Sequence, residues 1–214
     1  MTVYDCDDPE QRAIGVREAA RAVRRGDLVV LPTDTVYGIG ADAFTPSAVT
    51  ALLAAKGRGR DMPVPVLIGS REVLTALVSE LSEAARHLAE VFWPGALTII
   101  ARHTPTLAWD LGDARGTVAL RMPADLVALE LLRDTGPMAV SSANRTGLPP
   151  ATTCANAQAQ LGDSVAVYLD AGPTTAAVPS TIVDVTGAVP VLVRPGGITI
   201  ERLREIVPEI EDQP

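Results

Sequence analysis

The chain has 214 residues, a formal charge of −8, 47% hydrophobic residues and only 3% aromatic ones. That length supports a sizeable core without staples, no apolar run approaches the ~18 residues of a membrane span, and a net acidic chain lacks the broad positive field of a nonspecific nucleic-acid binder. Cys6 and Cys154 lie far apart without metal-ligand spacing and no leader segment is evident, so free thiols in a reducing, cytoplasmic compartment are expected.

A first helix is expected over residues 9 to 25, with Asp8 as N-cap, Pro9 in the first turn and Gly26 as the stop. Ile14, Ala20 and Val23 would supply its buried stripe. Leu28 to Leu31 reads as a short buried strand that Pro32 cannot extend. It empties into a loop from Pro32 to Asp42 carrying Thr33, Asp34, Thr35 and two permissive glycines, Gly38 and Gly40. Strand ends of this kind build ligand sites in α/β proteins. A second helix begins at Thr45-Pro46, buries Val49, Leu52 and Leu53, and ends near Lys56-Gly57.

The segment K-G-R-G-R-D-M-P, Lys56 to Pro63, is a predicted loop with three cations and two glycines. Backbone freedom beside clustered cations suits polyphosphate, although no Walker A pattern is present. Of the 18 basic residues, 17 are arginine and only Lys56 is lysine. Such a lysine either answers a demand for a compact ammonium or survives by chance.

Val64 to Ile68 is a predicted strand, followed by helices near 71–79 and 83–92, the second capped by Ser82. Trp93-Pro94-Gly95 ends that pattern, and Trp93 reads as a packing residue. Leu97 to Ala101 is a strand and His103 to Gly116 a surface connection. In the strand T-V-A-L-R, Thr117 to Arg121, period two puts Val118 and Leu120 on one face and Thr117, Ala119 and Arg121 on the other. A helix over 125–134 stops at Gly136. The strand Met138 to Val140 then empties into S-S-A-N-R-T-G, Ser141 to Gly147. A helix near 152–161 and a strand from Val165 to Leu169 precede a Gly/Pro/Thr-rich stretch, Ala171 to Pro179, expected to be a mobile or ligand-covering loop. Pro179-Ser180-Thr181 leads into the strand I-V-D-V, Ile182 to Val185, which forms a hairpin with the strand from Val189 to Val193 across Thr186-Gly187-Ala188. A last helix runs from Thr199 to near Pro208, and the acidic tail is expected to fray. Nothing divides the chain, so one domain over residues 1–214 is the simplest organisation.

Covalent catalysis finds little support. His87 and His103 accompany no nucleophile elbow, no metal-ligand spacing is present, and GxGxxG is absent. What remains is cations and hydroxyls at loop ends: Lys56, Arg58, Arg121 and Arg194 with Thr35, Ser142, Asn144 and Ser180. Such a set binds and orients anions, as phosphoryl or nucleotidyl transfer requires.

P-T-D-T-V-Y-G-I-G-A-D, K-G-R-G-R-D-M-P, W-P-G-A-L-T, T-V-A-L-R-M-P, S-S-A-N-R-T-G, P-S-T-I-V-D and V-R-P-G occur in this order between Asp27 and Ile206. Together they resemble the YrdC/Sua5 family of threonylcarbamoyl-AMP synthases in its short, single-domain form. The resemblance implies an α/β fold, a twisted open mixed sheet with flanking helices around a deep basic cavity. It implies that L-threonine, bicarbonate and ATP yield threonylcarbamoyl-AMP and pyrophosphate for tRNA modification, with Mg2+ arriving on ATP and a downstream threonylcarbamoyl transferase complex as partner. Carried over, the threonine pocket falls on Thr35, Arg121, Ser142 and Ser180. The ATP side falls on Arg58, Met62, Thr117, Asn144, Thr152 and Arg194, with Lys56 beside the phosphates and Lys56 and Arg58 as catalytic residues. No protein-held metal is expected. Two departures stand out: Gly59 replaces the proline usual after the motif's arginine, and Leu67 stands where some members have a histidine. Two alternatives stay open: a noncatalytic RNA-binding module of the same fold, and a carbamoyl-transfer module as in hydrogenase maturation.

Overall fold

The computed structural model describes residues 1–213. In chain order, β1 (Thr2–Asp5), α1 (Pro9–Arg24), β2 (Val29–Leu31), β3 (Gly38–Asp42) and α2 (Pro46–Lys56) come first. Then follow β4 (Val66–Leu67), α3 (Leu74–Leu77), α4 (Glu83–Phe92), β5 (Leu97–Arg102), β6 (Thr117–Arg121) and α5 (Leu126–Thr135). The chain continues with β7 (Met138–Ser142), α6 (Cys154–Leu161), β8 (Val167–Asp170), β9 (Thr181–Asp184), β10 (Val191–Arg194), α7 (Ile200–Arg204) and β11 (Glu211–Asp212). All eleven strands join one mixed sheet in the order β1-β8-β2-β3-β7-β4-β6-β5-β9-β10-β11.

Period two sorts the strand residues between two cores. Val29 and Leu31 of β2, Leu67 of β4, Met138 and Val140 of β7 and Leu169 of β8 pack beneath α1 and α5. Val30, Ile39, Ile99, Leu120, Val183 and Leu192 face the other way, against α2, α4 and α6. The layer of α1 and α5 stops at β4. Among the described residues no residue of β6, β5, β9 or β10 joins that core, and this is where the cavity lies.

The helix signals act as physics predicts. The Asp8 carboxylate accepts from the backbone N–H groups of Glu10 and Gln11 at 2.8 and 2.9 Å. Ser82 and Asp125 cap α4 and α5 in the same way, accepting from Ala85 and Ala128. Gly57 ends α2 in the left-handed region at φ 62°, a conformation glycine adopts without strain.

Several expectations need correction. Ile14 is not in the buried stripe of α1; it is 36% exposed, while Val16 and Ala19 take the inner face beside Ala20 and Val23. Gly15 fixes that rotation, because a Cβ there would meet Tyr4 Cβ at 2.6 Å. The stretch from Pro32 to Asp42 is not one loop, since Gly38 to Asp42 return as β3, antiparallel to β2. Gly38 and Gly40 serve packing: a Cβ on either would lie within 2.7 Å of the Val140 or Met138 side chain of β7. Ser141 and Ser142 belong to β7 rather than to the loop after it. The described part of the acidic tail, residues 209–213, does not fray, Pro214 lying outside the described residues; β11 adds to β10 in parallel, and Ile210 is 1% exposed. β1 had no counterpart in the sequence reading.

Candidate active site

A cavity of about 410 Å³ stands on the bare part of the sheet. Its floor is built from Thr98 and Ile100 of β5, Thr117, Ala119 and Arg121 of β6, Ile182 of β9 and Arg194 of β10. Register makes this a continuous surface: Ile100 pairs with Ala119, Thr98 with Ile182, and Ile182 with Arg194. The rim comes from the β2–β3 connection, the Arg58 loop, the end of β7 and Ser180. Arg58, Arg121 and Arg194 line it, and no carboxylate does.

Arg121 closes β6 and is 6% exposed. Its Nε donates to Gly95 O at 2.9 Å, its Nη1 to Thr35 Oγ1 at 2.8 Å and its Nη2 to Asp34 Oδ1 at 2.6 Å. Thr33 steadies that corner, donating to Val36 O at 2.6 Å and lying 3.0 Å from the Thr35 hydroxyl. Burial lowers the pKa of Arg121, and the Asp34 charge opposes that shift.

A bulge aims Arg194. Strict alternation after the core residue Leu192 would send Val193 toward the cavity and Arg194 to the opposite face. The register shift between Leu192 and Arg194 instead sets Arg194 opposite Ile182. There its Nη2 donates to Ser180 O at 2.7 Å and to Ser180 Oγ at 3.0 Å. Ser180 Oγ is also 2.8 Å from Thr98 Oγ1. Burial lowers the pKa of Arg194, and the positive charges of Arg121 and Arg58 push the same way. Arg194, which faces two other guanidiniums in a wall without a carboxylate, marks a site that an anion stabilises.

Arg58 Nη1 donates to Ser141 Oγ at 3.1 Å and Nη2 to Pro63 O at 3.3 Å. Its Nε is buried with no hydrogen-bond partner among the described residues. Its loop is clasped from outside by Arg60, whose two Nη atoms hold Asp110 at 3.1 and 2.6 Å. Tyr37, fully buried beneath the cavity, donates to Gly172 O at 2.7 Å and accepts from Ala171 N–H at 3.0 Å. It thereby ties the root of the segment 171–179 to the site.

The family profile named for Sua5, YciO and YrdC, described as telomere recombination, matches residues 21–196. The chain belongs to the Sua5–YciO–YrdC family. A Mycobacterium tuberculosis protein provisionally named a threonylcarbamoyl-AMP synthase is 59% identical over 95% of this chain and 94% of its own length. The Bacillus subtilis threonylcarbamoyl-AMP synthase is 39% identical over 90% of this chain and 56% of its own length. Among solved structures, Pyrococcus abyssi Sua5 complexed with L-threonine superposes with a TM-score of 0.93 at 35% identity, covering all of this chain and 63% of that one. Escherichia coli YciO shares the fold, with a TM-score of 0.82 at 23% identity over 94% of this chain and 97% of its own.

Within this family fold, the residues expected from sequence divide into two groups. Thr35, Arg58, Thr117, Arg121, Ser142, Ser180 and Arg194 meet in the cavity wall. Lys56, Met62, Asn144 and Thr152 are absent from that wall. Lys56 is 3% exposed behind it, while Met62 is 42% exposed outside. Asn144 Nδ2 folds back onto Arg145 O and Leu148 O at 2.9 and 2.8 Å, leaving Oδ1 buried without a partner among the described residues. Leu67, the departure from the histidine-bearing members, lies in the wall as an apolar surface. Sequence reading missed Thr98 and Ser141, and the polarity of Thr98 within the apolar strand L-T-I-I-A was the available signal for the first.

Proposed function

We propose that the cavity carries out threonylcarbamoyl-AMP synthesis, joining L-threonine, bicarbonate and ATP and releasing pyrophosphate, as the first step of threonylcarbamoyladenosine formation in tRNA. The convergence of Arg58, Arg121 and Arg194 with the Thr35, Ser142 and Ser180 hydroxyls in one cavity supports the reading most strongly. The names of the relatives that match along nearly their whole length agree with it.

The threonine ammonium gives a proton to the hydroxide left when bicarbonate yields CO2, and the free amine then bonds to the CO2 carbon and loses a second proton, giving a carbamate. A carbamate oxygen then attacks the α-phosphorus of ATP, the bond to the bridging oxygen breaks, and pyrophosphate leaves. In this scheme Arg121 receives the amino acid carboxylate, while Thr35, Ser142 and Ser180 hydrogen-bond its polar groups. Arg58 and Arg194 take the polyphosphate, where charge develops as the leaving group departs. Thr117 lies toward the nucleotide, with Met62, Asn144 and Thr152 as contacts that ATP would recruit from outside the empty wall. Lys56 supports the phosphate side from behind, and Arg58 is the catalytic cation. A labile acyl-adenylate needs shielding from water, and the segment Ala171 to Pro179 is the candidate cover.

The wall offers no carboxylate to a resident Mg2+, and the described residues contain no acidic, histidine or cysteine cluster suited to a metal. Magnesium would enter as part of MgATP, held by phosphates and water. Among the described residues no helix is long and apolar enough to cross a membrane. Cytoplasmic residence suits this chemistry, as does a downstream transferase that moves the threonylcarbamoyl group from the mixed anhydride to tRNA.

The test incubates the pure protein with ATP, labelled bicarbonate and either L-threonine or L-valine. Threonine-dependent pyrophosphate release and a labelled acyl-adenylate are expected. Folded protein that binds ATP yet forms neither would sink the reading.

A further inference from the structure

Asp34 is absent from the cavity wall, yet it grips one of the wall's three cations. Its Oδ1 accepts from Arg121 Nη2 at 2.6 Å and from the Ala124 backbone N–H at 2.9 Å, which fixes the carboxylate. Both side chains are largely buried, at 8% exposure for Arg121 and 16% for Asp34. Among the described residues neither Arg58 nor Arg194 forms an ion pair. The cavity therefore has one guanidinium ion-paired with Asp34 and two without an ion-pair partner, Arg58 feeling only the more distant charge of Asp61.

That asymmetry matches two different substrates. A nucleoside triphosphate carries several negative charges, whereas an amino acid zwitterion carries none in total. Five N–H groups belong to a guanidinium. Arg121 commits one to Gly95 O, one to Thr35 Oγ1 and one to Asp34, leaving two for a ligand. We propose that Asp34 is a positioning residue that sorts the substrates: it orients Arg121 and cancels its charge, so this end accepts the carboxylate of a zwitterion while polyphosphate is directed to Arg58 and Arg194. The proposal rests on the synthase reading above and assigns a role to an otherwise unused member of the opening motif.

The test compares the native protein with Asp34→Asn and Asp34→Ala, each checked for native circular dichroism. Asparagine keeps an acceptor for Arg121 but removes the charge. Asp34→Asn should hold KM for threonine within about threefold of native while pyrophosphate becomes a competitor of threonine, with an inhibition constant lowered about tenfold. Asp34→Ala also frees the guanidinium, so KM for threonine should rise about tenfold while KM for ATP moves less than about threefold. An equal rise in both KM values would overturn the proposal. Calorimetric titration with pyrophosphate reads the sorting without turnover, and affinity in Asp34→Asn no tighter than native would also overturn it. Should the alanine variant not fold, the asparagine variant decides alone. Failure of the native protein to release threonine-dependent pyrophosphate would instead count against the synthase reading, leaving the calorimetric result to judge Asp34.

Discussion

The Lys56 ammonium, at the last residue of α2, donates to the Ser142 carbonyl oxygen at 2.5 Å and to the Asn144 carbonyl at 2.6 Å. The Lys56 carbonyl in turn accepts from Thr146 N–H at 2.8 Å, so one residue staples the end of a helix to the exit of β7. Ser141 and Ser142, both in the cavity wall, are held in place from behind by that staple. The chain's only lysine thus occupies a site that suits a compact, three-donor ammonium better than a guanidinium fork.

Holding that charge where Lys56 is buried has a pH signature. Burial, aided by the positive charge of Arg58, lowers the Lys56 pKa from 10.5 to about 8. Between those values the unfolded chain holds a proton that the folded chain has released, so stability should rise with pH across that window. Below about pH 8 both states are protonated and the burial penalty is fully present. Urea unfolding from pH 7.5 to 10.5 should show native stability climbing relative to Lys56→Met. Parallel curves for the two proteins would mean that the lysine bears no such penalty.

Arg58 should be far less replaceable than its place in a glycine-flanked loop suggests. Its fork spans Ser141 Oγ and Pro63 O while its Nε stays unpartnered, which a lysine cannot reproduce. Arg58→Ala should lower pyrophosphate formation about 100-fold, the scale for removing one preorganised charged donor. Arg58→Lys should recover only part of that loss. Near-native rates in both variants would mark the loop as a solvated turn.

What the sequence made legible follows physical scale. Caps, glycine stops and the two faces of T-V-A-L-R are local, so Asp8, Ser82, Gly57 and the inward set Thr117, Ala119 and Arg121 could be read directly. Non-local placement could not. The aim of Arg194 depends on a bulge that alternation does not announce, and β3 was hidden because its glycines look like loop residues until Met138 and Val140 lie against them. The ion-pair partner of Arg121 is Asp34, 87 residues away, and the carbonyls that Lys56 Nζ contacts are similarly distant in sequence. Motif order pointed to the residues of the cavity; only the fold distinguished those in its wall from those behind it.

The C-terminal segment is structural, against its acidic composition. Ile210 is 1% exposed, its carbonyl accepts from Arg204 Nε at 2.9 Å, and Glu211 N–H donates to Pro190 O at 3.0 Å. Ile210→Ala should cost about 2–5 kcal/mol, the range for emptying a well-packed aliphatic site. Glu209→Ala, at an exposed neighbour, should stay within about 0.5 kcal/mol of native. Denaturant titration of both variants separates a packed tail from a frayed one, since a frayed tail would give equal, small effects.

Gly196 sets the backbone against which Ser180 and Arg194 are placed. A Cβ there would come within 2.4 Å of Thr181 N and 2.5 Å of both Pro179 O and Ser180 C. These are backbone atoms, which cannot swing aside as a side chain can, so Gly196→Ala must shift the segment that carries Ser180. The shift would disturb the Ser180–Thr98 contact and the Arg194 donors together. We expect about 1–3 kcal/mol of destabilisation from the forced contact. Misplacement of the site should also cut threonine-dependent turnover about 100-fold. Gly187→Ala is the comparison, because a Cβ there meets only Val189 O at 3.5 Å, an ordinary contact in the β9–β10 turn. Turnover should be near native in Gly187→Ala and lost in Gly196→Ala at a temperature where both are folded; equal activities would show that the Ser180 backbone tolerates displacement.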